Sequence, residues 1–259
     1  MKALILAAFA LLLAGCASGP RIDTRYTSLG QDSRAQFIVL HYTSSDLPRS
    51  LEILKGNDVS SHYLIGESPA TIYRLVDENR RAWHAGESQW MGRTWLNSSS
   101  IGIEMINRGY IEDAQGRRLW YPYSEQQIDA LIVLLKDIMQ RHGLNPGAIV
   151  GHSDIAPQRK VDPGPLFPWK RLADAGLVPW PDAATVERQR SLFAQELPNV
   201  AWFQVQLARQ GYKVPEHGHL DLETRNVIEA FQMKYRPARF DGEPDAETAA
   251  ILAALAVQP

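Results

Sequence analysis

The chain is nearly free of cysteine, with one in 259 residues, Cys16. A lone thiol makes no intramolecular disulfide, so the core must hold without covalent cross-links. Excess charge is missing as well. Lys and Arg number 27 against 29 Asp and Glu, a formal net charge of −2, which leaves no electrostatic footprint for nucleic acid. The apolar run from Ala3 to Ala14 is too short for a membrane helix, which needs about 20 residues. No heptad or apolar stripe demands a dimer, and no obligate protein partner is expected. Proline (16) and tryptophan (7) are plentiful, which suits a loop-rich enzyme better than a bundle or a repeat array.

Lys2 followed by the short apolar run reads as an export signal. Leu13-Ala14-Gly15-Cys16 resembles the lipobox of bacterial lipoproteins, in which cleavage precedes a cysteine that is then lipidated. That resemblance implies a signal peptide over residues 1–15, lipidation at Cys16, and a polar tether over residues 16–35. Two or more acyl chains anchor stably where one binds only marginally. Ala17 rather than aspartate follows the cysteine, which by resemblance to lipoprotein sorting points to the periplasmic face of the outer membrane. The plain alternative for Cys16 is a buried structural thiol.

Beyond residue 35 the pattern is mixed α/β. Phe37-Ile38-Val39-Leu40 is an apolar, partly β-branched run that ends at His41 and reads as a buried strand. Pro48–Lys55 reads as a helix with Gly56 behind it. Val59–Ile65, Thr71–Val76 and Ile101–Ile106 are strand-like. Ser124–His142 is the clearest helix. Ser124 and Gln127 form a capping-box pattern, Ile128, Leu131, Ile132, Leu135, Ile138 and Met139 make one stripe, and Gly143 follows as terminator. The expectation is a central mixed β-sheet flanked by helices over residues 36–180.

Residues 181–197 read as a polar connecting segment, helical in part. Beyond them Gly218-His219-Leu220-Asp221-Leu222-Glu223-Thr224 recurs as Gly242-Glu243-Pro244-Asp245-Ala246-Glu247-Thr248. In each copy the aspartate can cap a helix. With the amphipathic stretch Val200–Gln210, residues 198–259 are expected to form a small three-helix domain, large enough to fold only marginally by itself.

The richest stretch for chemistry is Gly151–Pro165, which puts His152, Lys160 and Asp162 on one short loop. Residues before proline are pushed toward extended geometry, so Asp162 and Gly164 are expected to be extended, with Lys160 and Asp162 on one side. His41 ends a strand. Glu104 projects from the strand 101–106, with Gly102 leaving space on its face. Metal-assisted amide hydrolysis needs three ligands with an open position, a carboxylate to move a proton, and a cation for the oxyanion. The chain holds a candidate for each role, although spacing alone does not join His41 to His152.

Val39-Leu40-His41-Tyr42-Thr43, Ser61-His62-Tyr63-Leu64-Ile65, Trp83-His84-Ala85-Gly86, Ser100-Ile101-Gly102-Ile103-Glu104 and Gly151–Pro165 occur in the order found in one zinc family. On these motifs the chain resembles the zinc-dependent N-acetylmuramoyl-L-alanine amidases related to phage lysozyme-like amidases and peptidoglycan recognition proteins, in the lipoprotein branch with a C-terminal peptidoglycan-binding domain. The resemblance implies one Zn²⁺ held by His41, His152 and Asp162, a catalytic carboxylate at Glu104, a transition-state lysine at Lys160, and peptidoglycan or its muropeptides as substrate.

Other polar residues keep two readings. Trp83, His84 and Arg81 could line a muropeptide groove, or His84 could only stabilise its loop. Asn107 and Arg108 could meet peptide carboxylates, or merely end a strand. His62 reads as structural, and Asp154 as either an orienter of a metal-bound histidine or a turn cap. Two further functions stay open: a non-catalytic lipoprotein that ties the membrane to the wall, and a zinc peptidase acting within the stem peptide.

Overall fold

A computed structural model describes residues 19–256. Cys16 and the expected signal segment therefore lie outside the described residues. Residues 19–32 belong to a unit of their own, with no helix or strand among its described residues; residues 33–256 make up the second. Within the described residues no helix is long and apolar enough to cross a membrane.

The second unit contains strands β1 (Phe37–Tyr42), β2 (Tyr63–Ile65), β3 (Ile72–Arg74), β4 (Gln89–Trp90), β5 (Arg93–Thr94), β6 (Ser100–Met105), β7 (Tyr110–Glu112), β8 (Arg118–Trp120) and β9 (Ile149–Gly151). Five of them form the central sheet in the order β3-β2-β6-β1-β9, and β4-β5 and β7-β8 are separate hairpins. Only β3 runs antiparallel to its neighbour, so the sheet is mixed, as expected. The helices are α1 (Leu47–Leu54), α2 (Glu125–His142), α3 (His152–Ile155), α4 (Trp169–Asp174), α5 (Ala183–Phe193), α6 (Val200–Gln210), α7 (Leu222–Tyr235) and α8 (Ala246–Leu255).

Alternation along the strands sorts two apolar layers. Ile38, Leu40, Ile101, Ile103 and Met105 point to one face and pack under the α2 stripe of Ile128, Leu131, Leu135 and Ile138. Val39 and Val150 point to the other, where they join Ala85, Leu96 and Ile155. That second layer runs without a break into Phe203, Leu207, Val227, Phe231 and Leu252 of the C-terminal helices. The three-helix part shares a core with the sheet.

Helix α2 starts and stops where expected. Ser124 Oγ accepts the Gln127 N–H, and Gly143 closes the helix at φ +64°. The reciprocal half of the capping box is absent, however. The Gln127 amide instead donates to the Ile65 and Ile106 carbonyls, at 3.1 and 3.0 Å, satisfying two strand ends. The two expected strands over 59–65 and 71–76 are shorter than their apolar pattern. Ser60 bonds to Trp83 through both backbone and hydroxyl, which ties it to a loop. Leu75 and Val76 both donate to the His62 carbonyl, which closes the ladder after Arg74.

In the C-terminal part, Asp221 and Asp245 cap α7 and α8 by accepting the Thr224 and Thr248 N–H groups, each at 2.8 Å. The internal repeat has a further, buried member. Gln204 accepts the Gly218 N–H and donates to the His219 carbonyl and Thr224 hydroxyl. Gln232 does the same for Gly242, Glu243 and Thr248. Each copy is a loop folded around one glutamine. Helix α5, in the stretch expected as a connection, packs along α8.

Removing such a hub strands several buried polar groups at once. Gln232→Leu should cost about 2–3 kcal/mol of stability, read from the urea midpoint at unchanged m-value, whereas Gln195→Leu on the exposed connection should be near neutral.

Candidate metal centre and active-site cleft

The parallel register of β1 and β6 pairs His41 with Glu104, so both side chains leave the same face of the sheet. Leu40 pairs with Gly151 at the end of β9, which brings the next residue, His152, level with His41. Asp162 reaches the same point by a loop: the Ser153 N–H donates to the Asp162 carbonyl at 2.8 Å. Glycine is required at Gly151, because a Cβ there would stand 2.8 Å from Pro163 Cδ.

These placements draw three acceptor atoms together. His41 Nδ1 lies 2.9 Å from His152 Nδ1, and each lies 3.1 Å from Asp162 Oδ2. Their outward atoms settle which ring nitrogens carry protons. The Ala85 carbonyl can only accept, so His152 Nε2 donates to it at 3.2 Å, the nearer contact, with the Arg159 guanidinium farther off at 3.4 Å. The Ser100 hydroxyl donates to the Leu96 carbonyl at 2.6 Å, and therefore accepts from His84 Nε2 at 3.1 Å. Neutral His84 is then left with a bare Nδ1, which accepts from His41 Nε2 at 3.0 Å. Both inner Nδ1 atoms consequently present lone pairs to one another and to a carboxylate.

Electrostatics agree. Burial, with His152 nearby, lowers His41 to about 4, and burial holds His84 well below the usual imidazole range. Three mutually repelling donors call for a cation. Around a tetrahedral ion with ligand bonds of about 2.0–2.2 Å, donors would sit about 3.3–3.6 Å apart, close to what is seen. The set His41, His152 and Asp162 fits a metal ion, and its two-imidazole, one-carboxylate chemistry suits zinc.

The triad opens on a cleft of about 640 Å³ lined also by Thr43, Trp83, Glu104, Arg108 and Lys160. Glu104 Oε2 is buried without a hydrogen-bond partner. Burial pushes the Glu104 carboxyl up to about 8, Asp162 adds to the rise, and Lys160 opposes it. A carboxyl with a free oxygen, facing the cleft beside a cation site, is equipped to take and return a proton.

The profile of the N-acetylmuramoyl-L-alanine amidase family matches residues 31–165. An N-acetylmuramoyl-L-alanine amidase of Escherichia coli (strain K12), AmiD, is 46% identical over 265 residues, spanning 96% of this chain and 95% of the relative. The chain belongs to the N-acetylmuramoyl-L-alanine amidase family. The solved complex of the E. coli enzyme with anhydro-N-acetylmuramic acid-L-Ala-D-gamma-Glu-L-Lys superposes with a TM-score of 0.83 at 44% identity, covering 92% of this chain and 95% of that one. The crystal structure of AMPDH3 from Pseudomonas aeruginosa gives 0.84 at 40% identity, with 92% and 98% covered. A peptidoglycan binding domain profile matches residues 196–252.

The amidase fold gathers His41, His152, Asp162, Glu104 and Lys160 about one cleft, and treats the remaining candidates unequally. Trp83, 47% exposed, and Arg108, which lies 5.7 Å over the Tyr121 ring, stand on its wall. His84 also lines it, yet both of its nitrogens are engaged by His41 and Ser100, so its evident task is to hold His41. Gly102 makes that possible, because a Cβ there would fall 2.4 Å from His84 Cγ. Two candidates stand off the cleft wall. Arg81 is exposed and not among the cleft residues. Asn107 is buried, spending its amide on the Tyr121 and Pro122 carbonyls and on the Gly109 N–H, which fixes a turn.

The loop geometry is corrected. Arg159 and Lys160 both donate to the Ala156 carbonyl, so a turn, not an extended pleat, brings Lys160 to the cleft. Gly164 is left-handed at φ +81°, with Trp120 occupying the space of a Cβ. Arg159 escaped notice in the sequence. Its guanidinium donates to the Ala85 and Glu87 carbonyls and so braces the loop that orients His152.

A raised Glu104 pKa is a stability cost in the metal-free fold. Above pH 4.5 the unfolded chain ionises this group while the folded chain does not, so stability is lost progressively up to about pH 8. Glu104→Gln should therefore raise the melting temperature of chelator-treated protein at pH 8 and leave it unchanged at pH 4, as followed by circular dichroism.

Proposed function

We propose that this chain is a zinc hydrolase that cuts the amide between the lactyl group of N-acetylmuramic acid and L-alanine in peptidoglycan and muropeptides. The observation that carries this reading is the triangle of bare donors at 2.9–3.1 Å beside an unpartnered carboxyl oxygen. The E. coli relative, solved with an anhydromuramoyl peptide, supports the substrate class. His41, His152 and Asp162 would hold the zinc ion, which when bound would supply a Lewis acid and would lower the pKa of water from about 15.7 to roughly 7.

The protein's own groups complete the reaction. Glu104 takes the proton released as water adds to the amide carbon. It returns that proton to the departing nitrogen, so that the C–N bond breaks to a lactyl carboxylic acid and the free amine of L-alanine, and the acid then loses its proton to solvent. The Lys160 ammonium, on the same cleft wall, offsets the charge that builds on the carbonyl oxygen. His84 and the Ala85 carbonyl keep both imidazoles in the Nδ1-bare tautomer throughout. Trp83 and Arg108 offer a ring face and a cation to sugar and peptide.

The match of residues 196–252 to a peptidoglycan binding domain supports the polymeric wall as a ligand, and the lipobox-like Leu13–Cys16 supports lipid anchoring at the periplasmic face of the outer membrane. Full-length protein with Cys16→Ser should lose metabolic fatty-acid labelling and move to the soluble periplasmic fraction.

Digestion of purified sacculi, with products identified by mass, tests the reaction directly. Stem peptides beginning with a free L-alanine amine should appear, and a chelator should abolish them. Glu104→Gln should keep one zinc per chain while turnover falls by on the order of 10²–10³-fold. His152→Ala should lose both metal and turnover. Products cleaved only inside the stem peptide would refute the assignment.

A further inference from the structure

Asp154 lies two residues beyond His152 and is 1% exposed, yet it does not touch the imidazole. Its Oδ2 accepts the Gly151 N–H at 2.8 Å, capping the short turn α3 from within. The same oxygen takes the Lys234 ammonium at 2.8 Å, and Oδ1 takes the Tyr212 hydroxyl at 2.7 Å. Both partners come from the C-terminal part, within the stretch that matches a peptidoglycan binding domain. They are committed to this contact. Lys234 is buried, and its ammonium also lies 4.3 Å above the Trp169 ring. Tyr212 is wedged edge-on against Trp90 at 4.9 Å.

We propose that Lys234 and Tyr212 are positioning residues for the metal centre, acting through Asp154. The turn they clamp carries His152, and Ser153 on that turn holds the Asp162 backbone at 2.8 Å. One donor therefore rides on a four-residue segment, and a second is tied to it through Ser153, while the carboxylate of that segment is anchored from outside the amidase part. Among the described residues Asp154 has no other charged partner, so without Lys234 a buried carboxylate is left unneutralised and the turn shifts to rehydrate it. The C-terminal helices thus complete the active-site scaffold in addition to any wall binding. Other contacts across this junction, such as Asn226 with Gln158 at 2.8 Å, dock the two parts without touching the turn.

This inference rests on the reading of His41, His152 and Asp162 as metal ligands, and the test separates the two. Full-length protein is loaded with zinc, and release to a colorimetric chelator is timed. Turnover of a soluble anhydromuramoyl peptide is measured in parallel. Lys234→Met should speed release about 10-fold and lower kcat about 10-fold with KM within about twofold, as for groups that orient metal ligands. Tyr212→Phe, which keeps the ring and its packing, should speed release by about threefold and decides the matter if Lys234→Met does not fold. Asn226→Ala should match wild type. Wild-type release rates in Tyr212→Phe and in folded Lys234→Met overturn the inference alone, as does an equal acceleration in Asn226→Ala. A wild-type chain that binds no stoichiometric zinc overturns the metal reading and this inference with it.

Discussion

Two imidazole nitrogens and a carboxylate oxygen, held within about 3 Å of one another, set the terms for the rest of this molecule. Such a cluster repels itself in the absence of a cation. It persists because every outward-facing imidazole nitrogen is engaged. His41 Nε2 donates to His84, His84 to Ser100 and Ser100 to a main-chain carbonyl, while His152 Nε2 donates to Ala85. The network fixes direction as well as position, since each hydrogen bond permits only one tautomer in the ring behind it. Gly102 serves it by having no side chain where the His84 ring must sit.

The sheet supplies the rigidity this arrangement needs. Adjacent parallel strands put His41 and Glu104 on one face through register, His152 opens the turn that directly follows β9, and the opposite face is packed against α2. The third donor arrives on a loop, which has no ladder to hold it. Its stability comes instead from the Ser153–Asp162 bond, from Pro163 against Gly151, and from the Tyr123 hydroxyl on the Pro163 carbonyl at 2.8 Å. The C-terminal helices lie against the same region. They share the apolar core of the sheet's second face and add further polar ties, including the Arg118–Glu229 pair at 3.8 Å. A three-helix unit of marginal size gains its firmness by joining a larger core.

Several features were legible residue by residue because their causes are local. The α2 stripe, its serine cap and its glycine stop follow from helical periodicity and backbone geometry. The aspartate caps of α7 and α8 were visible in the repeat, since a cap is decided within four residues. The ordered motifs around His41, Glu104 and Gly151–Pro165 implied the family and the site together. Where the reading faltered, the deciding partner lay far along the chain. Gln127 has the pattern of a capping box, but two strand ends claim its amide. Asn107 sits just after the Glu104 strand like a substrate contact, yet three main-chain groups consume it. The glutamines that organise each repeat copy were hidden because their partners lie 10 to 20 residues away.

The amino-acid order by itself determined the longest elements, the caps of α2, α7 and α8, and which residue types stand at the ends of β1 and β6, because these depend on φ/ψ preference and on the spacing of apolar groups along a short segment. Tertiary structure alone decided that His84 braces a neighbour, that Arg159 secures the Ala85 loop, and that Asp154 is clamped by Lys234 and Tyr212. Those roles belong to buried hydrogen bonds between distant segments. No residue carries such a bond in its own identity; it exists only once the chain has closed around it.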